Sequence, residues 1–182
     1  MPRRSVVALD AAQITKLIPD PKNVRVPKNA FVVTYSEMDA YRQCPLKHQW
    51  GYKDGWSKEA VEGSALSRGS LWHEVLEVHY KTIQKYRGQM PTSRLLDLCR
   101  YNVAPLMFDE AGRQSEQQEL ITWMYNGHVE MWEDDPDVEI LAVEVPGRVR
   151  VKNPDTGKPT RFFYQFKIDL IVRVNGVIYL WD

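Results

Sequence analysis

The sequence has little cysteine, no net charge and no long apolar run, and each shortage excludes a class of protein. Two cysteines, Cys44 and Cys99, occur among 182 residues, which is too few for a secreted scaffold stabilised by disulfides. The formal net charge is zero, so a nucleic acid or a membrane surface would have to be bound by a local patch. No segment approaches the roughly 18 apolar residues that a membrane-spanning helix needs. We therefore expect a cytoplasmic protein without a membrane partner.

The chain changes in character after its first 33 residues. Residues 1–33 include IPDPKNVRVPKNA, with three prolines and scattered charges. Because proline removes hydrogen-bond donors and little of this segment is apolar enough to bury, we predict a flexible or surface-draped N-terminal arm. Residues 34–182 are predicted to form one folded domain, in which Ser36 caps a short helix that Pro45 ends.

The periodicity of this domain predicts helices first and strands afterwards. Apolar residues recur with a period of 3.6 in the helical segments and with a period of 2 after residue 137. The predicted helices cover residues 70–86, 92–108 and 115–132, the last opened by a capping box of Ser115 and Gln118, and the predicted strands cover 138–151, with a bulge or kink at Pro146-Gly147, 160–174 and 176–182. This order indicates an α+β fold with N-terminal helices packed on a mainly antiparallel central sheet.

The last two strands form a hairpin whose register can be counted from its turn. Asn175-Gly176 is typical of a two-residue type I′ turn, which pairs Val174 with Val177 and, further along, places Asp169 opposite Asp182. Both faces of the hairpin are apolar, so we expect it to lie centrally in a sheet covered on both sides. Two carboxylates facing each other there need a shared proton or a cation, and a hard ion such as Mg²⁺ or Mn²⁺ would fit. The alternative is that Asp182 lies at a frayed strand end in solvent.

Four segments together resemble the RecB-type branch of the PD-(D/E)XK nuclease superfamily, which includes CRISPR-associated and phage exonucleases. They are YSEMDAYRQCPLKHQWGY, GSLWH with Gly69 and His73, FKIDLI with Asp169, and GVIYLWD with Asp182. The resemblance covers roughly residues 34–182. It implies a restriction-endonuclease-like core in a bacterial, archaeal or phage-infected cell.

The resemblance also implies a function and a set of site residues. Asp169, Asp182 and His73 would hold Mg²⁺ or Mn²⁺ and act in hydrolysis of DNA phosphodiester bonds, in recombination, repair or phage and CRISPR DNA processing. Glu144 matches a place where some members carry an extra acidic residue that binds the metal. On this chain alone the commoner role for Glu144 is that of a solvent-facing strand residue.

The sequence departs from the family pattern at two places. The family has a lysine two residues after the aspartate of its third motif, which would fall beyond Asp182. We therefore expect a fragment that is incomplete at its C-terminus and is catalytically crippled or inactive as it stands. Cys44 matches the first iron–sulfur ligand of some members, but the other three are missing. A 4Fe–4S cluster is therefore expected only in a longer parent protein, and Cys44 is either a stranded ligand or a small buried hydrophobic residue. A non-catalytic nucleic-acid-binding or scaffold module with the same fold is the alternative function.

Two further groups of residues could contact nucleic acid. The stretch GRVRVKNPDTGKPTR is rich in basic residues, which could bind DNA phosphates or protect a sheet edge: Arg148, Arg150, Lys152, Lys158 and Arg161. The aromatic residues around Trp50 and Trp56 could stack on single-stranded bases, although the commoner role of such a cluster is to form core.

Overall fold

The computed structural model describes residues 11–56, 65–132 and 138–181. Its elements are helix α1 (Ala11–Leu17), strand β1 (Phe31–Val33), helices α2 (Tyr35–Gln43) and α3 (Pro45–His48), a π-helix (Gln49–Lys53), helices α4 (Ala65–Tyr86), α5 (Thr92–Met107) and α6 (Glu116–Trp132), and strands β2 (Val138–Lys152), β3 (Pro159–Val174) and β4 (Val177–Trp181). The α+β prediction is confirmed. The chain divides into two compact units. Of the described residues, the first contains 65–132, 138–144 and 169–181, and the second contains 11–56 and 145–168.

The first unit is built on the three long helices that the 3.6-residue period predicts. Their apolar stripes meet in a cluster of buried side chains: Val75 on α4, Leu96, Val103 and Met107 on α5, and Ile121, Tyr125 and Val129 on α6. The predicted capping box opens α6, because the Ser115 amide donates to Gln118 Oε1 at 3.0 Å and Ser115 Oγ accepts from the Gln118 amide at 3.3 Å. This core fixes the helix α4, which carries the candidate site.

In the second unit the cap of α2 lies two residues earlier than predicted. Thr34 occupies the N-cap and its Oγ1 accepts from the Glu37 amide at 3.2 Å, whereas Ser36 lies inside the helix. Pro45 ends α2 as expected and begins α3. The commoner role of an aromatic cluster is to form core, but this cluster does not do so, because Trp50 and Trp56 are exposed.

Part of the predicted N-terminal arm has regular structure. Residues 11–17 form α1, and strand β1 pairs in parallel with β3, Phe31 facing Phe162. Arg148 holds the segment between them, since its amide donates to the Pro19 carbonyl and its Nη1 donates to the Pro21 carbonyl, each at 3.0 Å. Residues 31–33 therefore belong to the sheet. The predicted boundary after residue 33 would assign β1 to the arm and its partner strand β3 to the folded domain.

The sheet is mixed, with β3 between β1 and β2 and with β4 paired to β3. The predicted hairpin register is confirmed from Val174 with Val177 to Leu170 with Trp181. Asn175 and Gly176 both have positive φ, 51° and 79°, as a type I′ turn requires.

The surroundings of the hairpin differ from the prediction. Within the described residues β4 pairs with β3 alone, and Leu180 is 64% exposed. Only the β3 side of the hairpin is buried, where Ile171 and Val172 are fully covered. The prediction that both faces of the hairpin are covered is therefore wrong for β4, whose apolar side chains include exposed ones such as Leu180. No helix among the described residues has the length and apolar character needed to cross a membrane.

Candidate metal centre

Three side chains from three elements of the first unit meet in one cluster. His73 lies on α4, Glu144 on β2 and Asp169 on β3. Each offers one ligand atom, and these atoms all lie within 4.8 Å of one another. His73 Nδ1 lies 3.1 Å from Asp169 Oδ2. Such spacing is close enough for the three to bind one ion together.

Helix α4 places His73 at the rim of its apolar stripe, as its sequence position suggests. Val75 and His79, which follow on the same helix, are buried, whereas 53% of the His73 side chain is exposed. The imidazole is therefore anchored through a buried helix yet reachable from solvent. This combination suits a ligand that must meet an incoming ion.

Asp169 is held in place by the strand that follows it. Leu170, Ile171 and Val172 are all buried, so the path of β3 at this point is fixed by packing. The Asp169 side chain is only 25% exposed. A half-buried carboxylate carries a desolvation cost that a bound cation or a protonated histidine offsets.

Glu144 has an unusual backbone conformation for a residue within a strand. Its φ is +56°, a left-handed conformation that is uncommon for residues with a Cβ and is typical of bulges and functional sites. The carboxylate oxygen Oε2 is buried. The solvent-facing interpretation of Glu144 is therefore wrong.

The left-handed residue lies two positions before the predicted kink at Pro146-Gly147. Gly147 is absent from the residues of positive φ, and its role is a different one. A Cβ at residue 147 would overlap the ring of Phe166, so glycine is needed there for close packing within the second unit. Glu144 thus combines a left-handed backbone with a carboxylate that belongs to the cluster.

The donor set fits a divalent metal. Two carboxylates and one imidazole provide oxygen ligands of the kind that hard ions prefer, together with one nitrogen that Mn²⁺ and other transition ions accept. Three protein ligands leave the remaining coordination positions to water or substrate oxygens. The members of the PD-(D/E)XK class that the sequence resembles use ions of this kind.

The cluster opens into a cleft of about 320 Å³ within the first unit. Its walls are mainly apolar and aromatic: Trp72, Leu76, Tyr80, Val143, Leu170 and Trp181, together with His73, Glu77, Glu144 and Asp169. The cleft is large enough for an ion and a phosphate group. Its apolar walls reduce the access of bulk water and so strengthen the electrostatic interactions inside it.

Two of these lining residues, Glu77 and Tyr80, were not predicted from the sequence. They follow His73 by four and seven positions, which places all three on one face of α4. Tyr80 is oriented from behind, since its hydroxyl lies 3.0 Å from His128 Nε2 on α6. The helical spacing from His73 would have found both residues.

A buried polar network supports this side of the cleft. His79 Nδ1 and the Tyr125 hydroxyl lie 3.0 Å apart, and burial lowers the pKa of His79 to about 4. Burial also lowers the pKa of His128 and raises the pKa of Tyr80 to about 12. These side chains are therefore uncharged near neutral pH, and they position their neighbours rather than attract the substrate by charge.

The remaining predicted site residues stand as follows. Asp182 lies outside the described residues, so its position opposite Asp169 stays a prediction. Cys99 is buried in α5, whereas Cys44 is exposed, so Cys44 is not a small buried hydrophobic residue. Two cysteines cannot supply the four thiolates of a 4Fe–4S cluster.

The predicted DNA-binding residues all lie in the second unit, and one of them has a structural role. The Arg148 guanidinium is half-buried and donates to Gln165 Oε1 as well as to the Pro21 carbonyl. Arg150 donates to the Thr160 carbonyl and Arg161 lies over the Phe31 ring, yet both remain exposed, as do Lys152 and Lys158. Arg148 therefore has a structural role, because it links β2 to Gln165 of β3 and to the segment around Pro21.

Comparison with known proteins gives the family. A family model described as the PD-(D/E)XK nuclease superfamily matches residues 32–182. No curated protein and no solved structure matches the chain. The matched segment contains all three residues of the cluster, and a nuclease family implies a nucleic-acid substrate. The chain belongs to the PD-(D/E)XK nuclease superfamily.

Proposed function

We propose that this chain is a metal-dependent deoxyribonuclease of the RecB-type branch, which hydrolyses phosphodiester bonds, as an exonuclease, during recombination, repair or phage and CRISPR DNA processing. The observation that carries the proposal is the convergence within 4.8 Å of His73, Glu144 and Asp169, which all line one cleft. Family membership supports the nuclease chemistry, and the donor set supports its dependence on an ion.

Each residue of the cluster has a role in this proposal. Glu144 and Asp169 supply oxygen ligands to Mg²⁺ or Mn²⁺, and His73 supplies a nitrogen from the helix side. Asp182 would add a further carboxylate if the hairpin register continues by one pair beyond Leu170 and Trp181. When bound, the ion supplies an acidified water and a positive charge that neutralises the scissile phosphate.

The other lining residues act on the substrate without binding the ion. Trp72 and Leu76 form an apolar wall that keeps bulk water away from the reacting phosphate. The Tyr80 hydroxyl lies 3.0 Å from His128 Nε2, and in the tautomer in which Nε2–H donates to the Tyr80 oxygen, the hydroxyl proton can be donated to a phosphate oxygen. The exposed basic residues bind phosphates and so position DNA without reading its sequence: Arg150, Lys152, Lys158 and Arg161.

The proposal includes a requirement for the third-motif lysine. In the family this lysine follows the second aspartate by two residues, and the 182 residues hold none at that place. We expect the 182-residue polypeptide to bind the metal and DNA but to cleave very slowly, and a two-residue extension ending in lysine to restore cleavage. An extension ending in alanine is the matched control.

Metal binding is the first test, by isothermal titration of Mn²⁺ into the chain and into Asp169→Asn. Binding to the original chain that the substitution abolishes supports the site, while equal binding to both contradicts it. Cleavage of labelled DNA by the lysine-extended chain then tests the activity. If the extended chain binds DNA and Mn²⁺ but cleaves neither single-stranded nor duplex DNA, the chain is the non-catalytic nucleic-acid-binding module instead.

A further inference from the structure

A second cavity, of about 560 Å³, lies within the second unit and has no part in the metal centre. It is lined by aromatic, polar and small residues from α2, α3 and the π-helix: Tyr35, Ser36, Asp39, Ala40, Gln43, Lys47, Trp50, Gly51, Tyr52 and Trp56. The four aromatic side chains are all exposed, and Trp56 is 76% exposed. Large aromatic surfaces around a cavity mark a binding site more often than a packing defect.

The backbone that carries the aromatic residues has a defined conformation. Trp50 and Tyr52 lie on the π-helix, an uncommon element that is often found at functional sites. Gly55, with φ of +73°, turns the chain back, and the Trp56 amide donates to the Trp50 carbonyl at 2.8 Å. The main chain that carries Trp50 and Trp56 is therefore fixed by hydrogen bonds.

One ring is also fixed by a chain of side-chain contacts. Tyr52 stacks on the His48 imidazole, with ring centroids 5.6 Å apart and planes at 20°. His48 Nε2 lies 3.0 Å from Glu37 Oε1, and the Glu37 side chain is only 12% exposed. Tyr52 thus presents its outer face in a preset orientation, which lowers the entropic cost of binding a flat ligand.

The polar side of the cavity carries a row of linked side chains along α2 and α3. Lys47 Nζ donates to Gln43 Oε1 at 3.0 Å, and Gln43 Nε2 donates to Asp39 Oδ2 at 2.6 Å. The ammonium has further N–H groups available to a phosphate, whereas a carboxylate accepts hydrogen bonds from ring or exocyclic N–H groups. A cation at one end and a carboxylate at the other match the two ends of a nucleotide.

We propose that this cavity binds a nucleobase of single-stranded DNA, stacked on the aromatic rings, with its backbone phosphate toward Lys47. The inference rests on the proposed function, because it takes DNA as the substrate, and it adds that the preferred form is single-stranded. A base within a duplex is already stacked and paired, so its faces are not available to Trp50 or Trp56. The negative charge of Asp39 disfavours entry of the phosphate itself.

The test measures DNA binding in EDTA, where no metal-dependent cleavage occurs. Fluorescence anisotropy gives the Kd for labelled oligo(dT) of about 20 nucleotides and for a duplex of the same length, and stacking predicts roughly 5- to 100-fold weaker single-strand binding for Trp50→Ala and Trp56→Ala. We expect Trp56→Phe to bind nearly as well as the original chain. Duplex binding should change less than about twofold, because bases in a duplex do not use the pocket.

Trp123→Ala is the matched control. Trp123 is 75% exposed, close to the value of Trp56, but it lies on α6 of the first unit and does not line the cavity. A second measurement uses an abasic single strand of the same length, which should bind the original chain as weakly as oligo(dT) binds Trp56→Ala. Circular dichroism of each variant confirms that the fold is retained.

The proposal is overturned if Trp50→Ala and Trp56→Ala leave single-strand binding unchanged, if they weaken duplex binding equally, or if the abasic strand binds as tightly as oligo(dT). These outcomes are independent of the metal centre. A chain that neither binds Mn²⁺ nor cleaves DNA refutes the proposed nuclease, and the oligonucleotide measurements still decide on the pocket. Conversely, cleavage without any effect of the tryptophan substitutions refutes the pocket alone.

Discussion

At the scale of single residues, the cluster places two carboxylates and one imidazole where they repel or pair with one another in the absence of an ion. Asp169 has the protein partner His73 at 3.1 Å, which offsets its charge when the imidazole is protonated. A divalent cation satisfies all three side chains at once. The stability of the protein should therefore depend on metal concentration.

Asp169→Asn tests this dependence. An ion at about 100 times its Kd stabilises the folded chain by about 2.7 kcal/mol, so we expect Mn²⁺ to raise the Tm of the original protein and to leave that of Asp169→Asn unchanged. Differential scanning fluorimetry in Mn²⁺ and in EDTA measures both. Asp97→Asn is the control, since Asp97 is an exposed residue of α5 outside the cluster. An equal rise in Tm for Asp169→Asn would show that the ion binds elsewhere.

His79 predicts a pH dependence of stability. Its pKa is lowered from 6.5 to about 4 by burial, so between these values the unfolded chain binds the proton more tightly than the folded chain. Stability is then full above about pH 6.5 and decreases as the pH falls toward 4, by roughly 3 kcal/mol in total.

Urea unfolding at several pH values between 4 and 7 measures this decrease. His79→Gln keeps a polar partner for Tyr125 but does not titrate, so its stability should vary less over the same range, while its stability at pH 7 is lower. If the two proteins are destabilised in parallel, the protons are taken up by other groups.

At the scale of elements, the long helices and the hairpin follow from the sequence because their signals are local. The period of 3.6 fixes α4, α5 and α6, and Asn175-Gly176 fixes the register of β3 and β4 through its backbone conformation alone. The short strand β1 has only three residues, too few to show a period. Its parallel pairing with β3 is a long-range interaction that no local pattern encodes.

The candidate site was predictable in part for the same reason. His73 and Asp169 stand in recognisable local motifs, one at the rim of a helical stripe and one in a hairpin of countable register. The resemblance named Glu144 as a metal ligand, but the residue pattern alone favoured a solvent-facing role, because an alternating strand pattern does not reveal a left-handed residue. The exposure of the tryptophans around the second cavity could not be predicted from the sequence either, because composition does not distinguish an aromatic cluster in the core from one on the surface.

The hairpin turn offers a prediction on this scale. Gly176 has φ of +79°, so Gly176→Ala should destabilise the protein by about 1 kcal/mol or more. It should also weaken Mn²⁺ binding, because the turn sets the register that positions Asp169. Gly127→Ala in α6 is the control of opposite sign: nothing lies within 4 Å of the added Cβ, and alanine favours a helix by about 0.5–1 kcal/mol over glycine. Chemical denaturation and titration calorimetry measure the two effects.

At the scale of the whole molecule, the two kinds of proposed DNA-directed function lie in different units. The metal cluster belongs to the first unit, and the exposed basic residues and the aromatic cavity belong to the second. Because the net charge is zero, the proposed attraction to DNA would have to come from this local basic stretch. In the proposed function, catalysis and DNA binding thus use residues of different units, so separate variants can test each one.

Salt dependence tests the basic stretch. Each lysine that neutralises a DNA phosphate adds about 1 to the slope of log Kd against log salt, so replacing Lys152 and Lys158 by glutamine should lower this slope by about 2, with similar effects on all sequences. Mn²⁺ binding should be unchanged. Lys85→Gln on α4 is the control, since this exposed lysine belongs to the first unit. An unchanged slope for the double variant would show that these lysines protect a sheet edge instead.

At Glu144 the demands of stability and of the proposed function are opposed. Its left-handed backbone is strained, whereas its carboxylate is a proposed metal ligand. Asparagine or glycine would adopt this conformation with less strain. Replacing Glu144 by either residue should therefore stabilise the fold wherever the carboxylate is not needed. A demand for the ion would keep an acid there over generations. Among relatives of this chain that have lost activity, residue 144 should thus be the first of the three ligands to be substituted. The identity of this residue should distinguish active relatives from inactive ones.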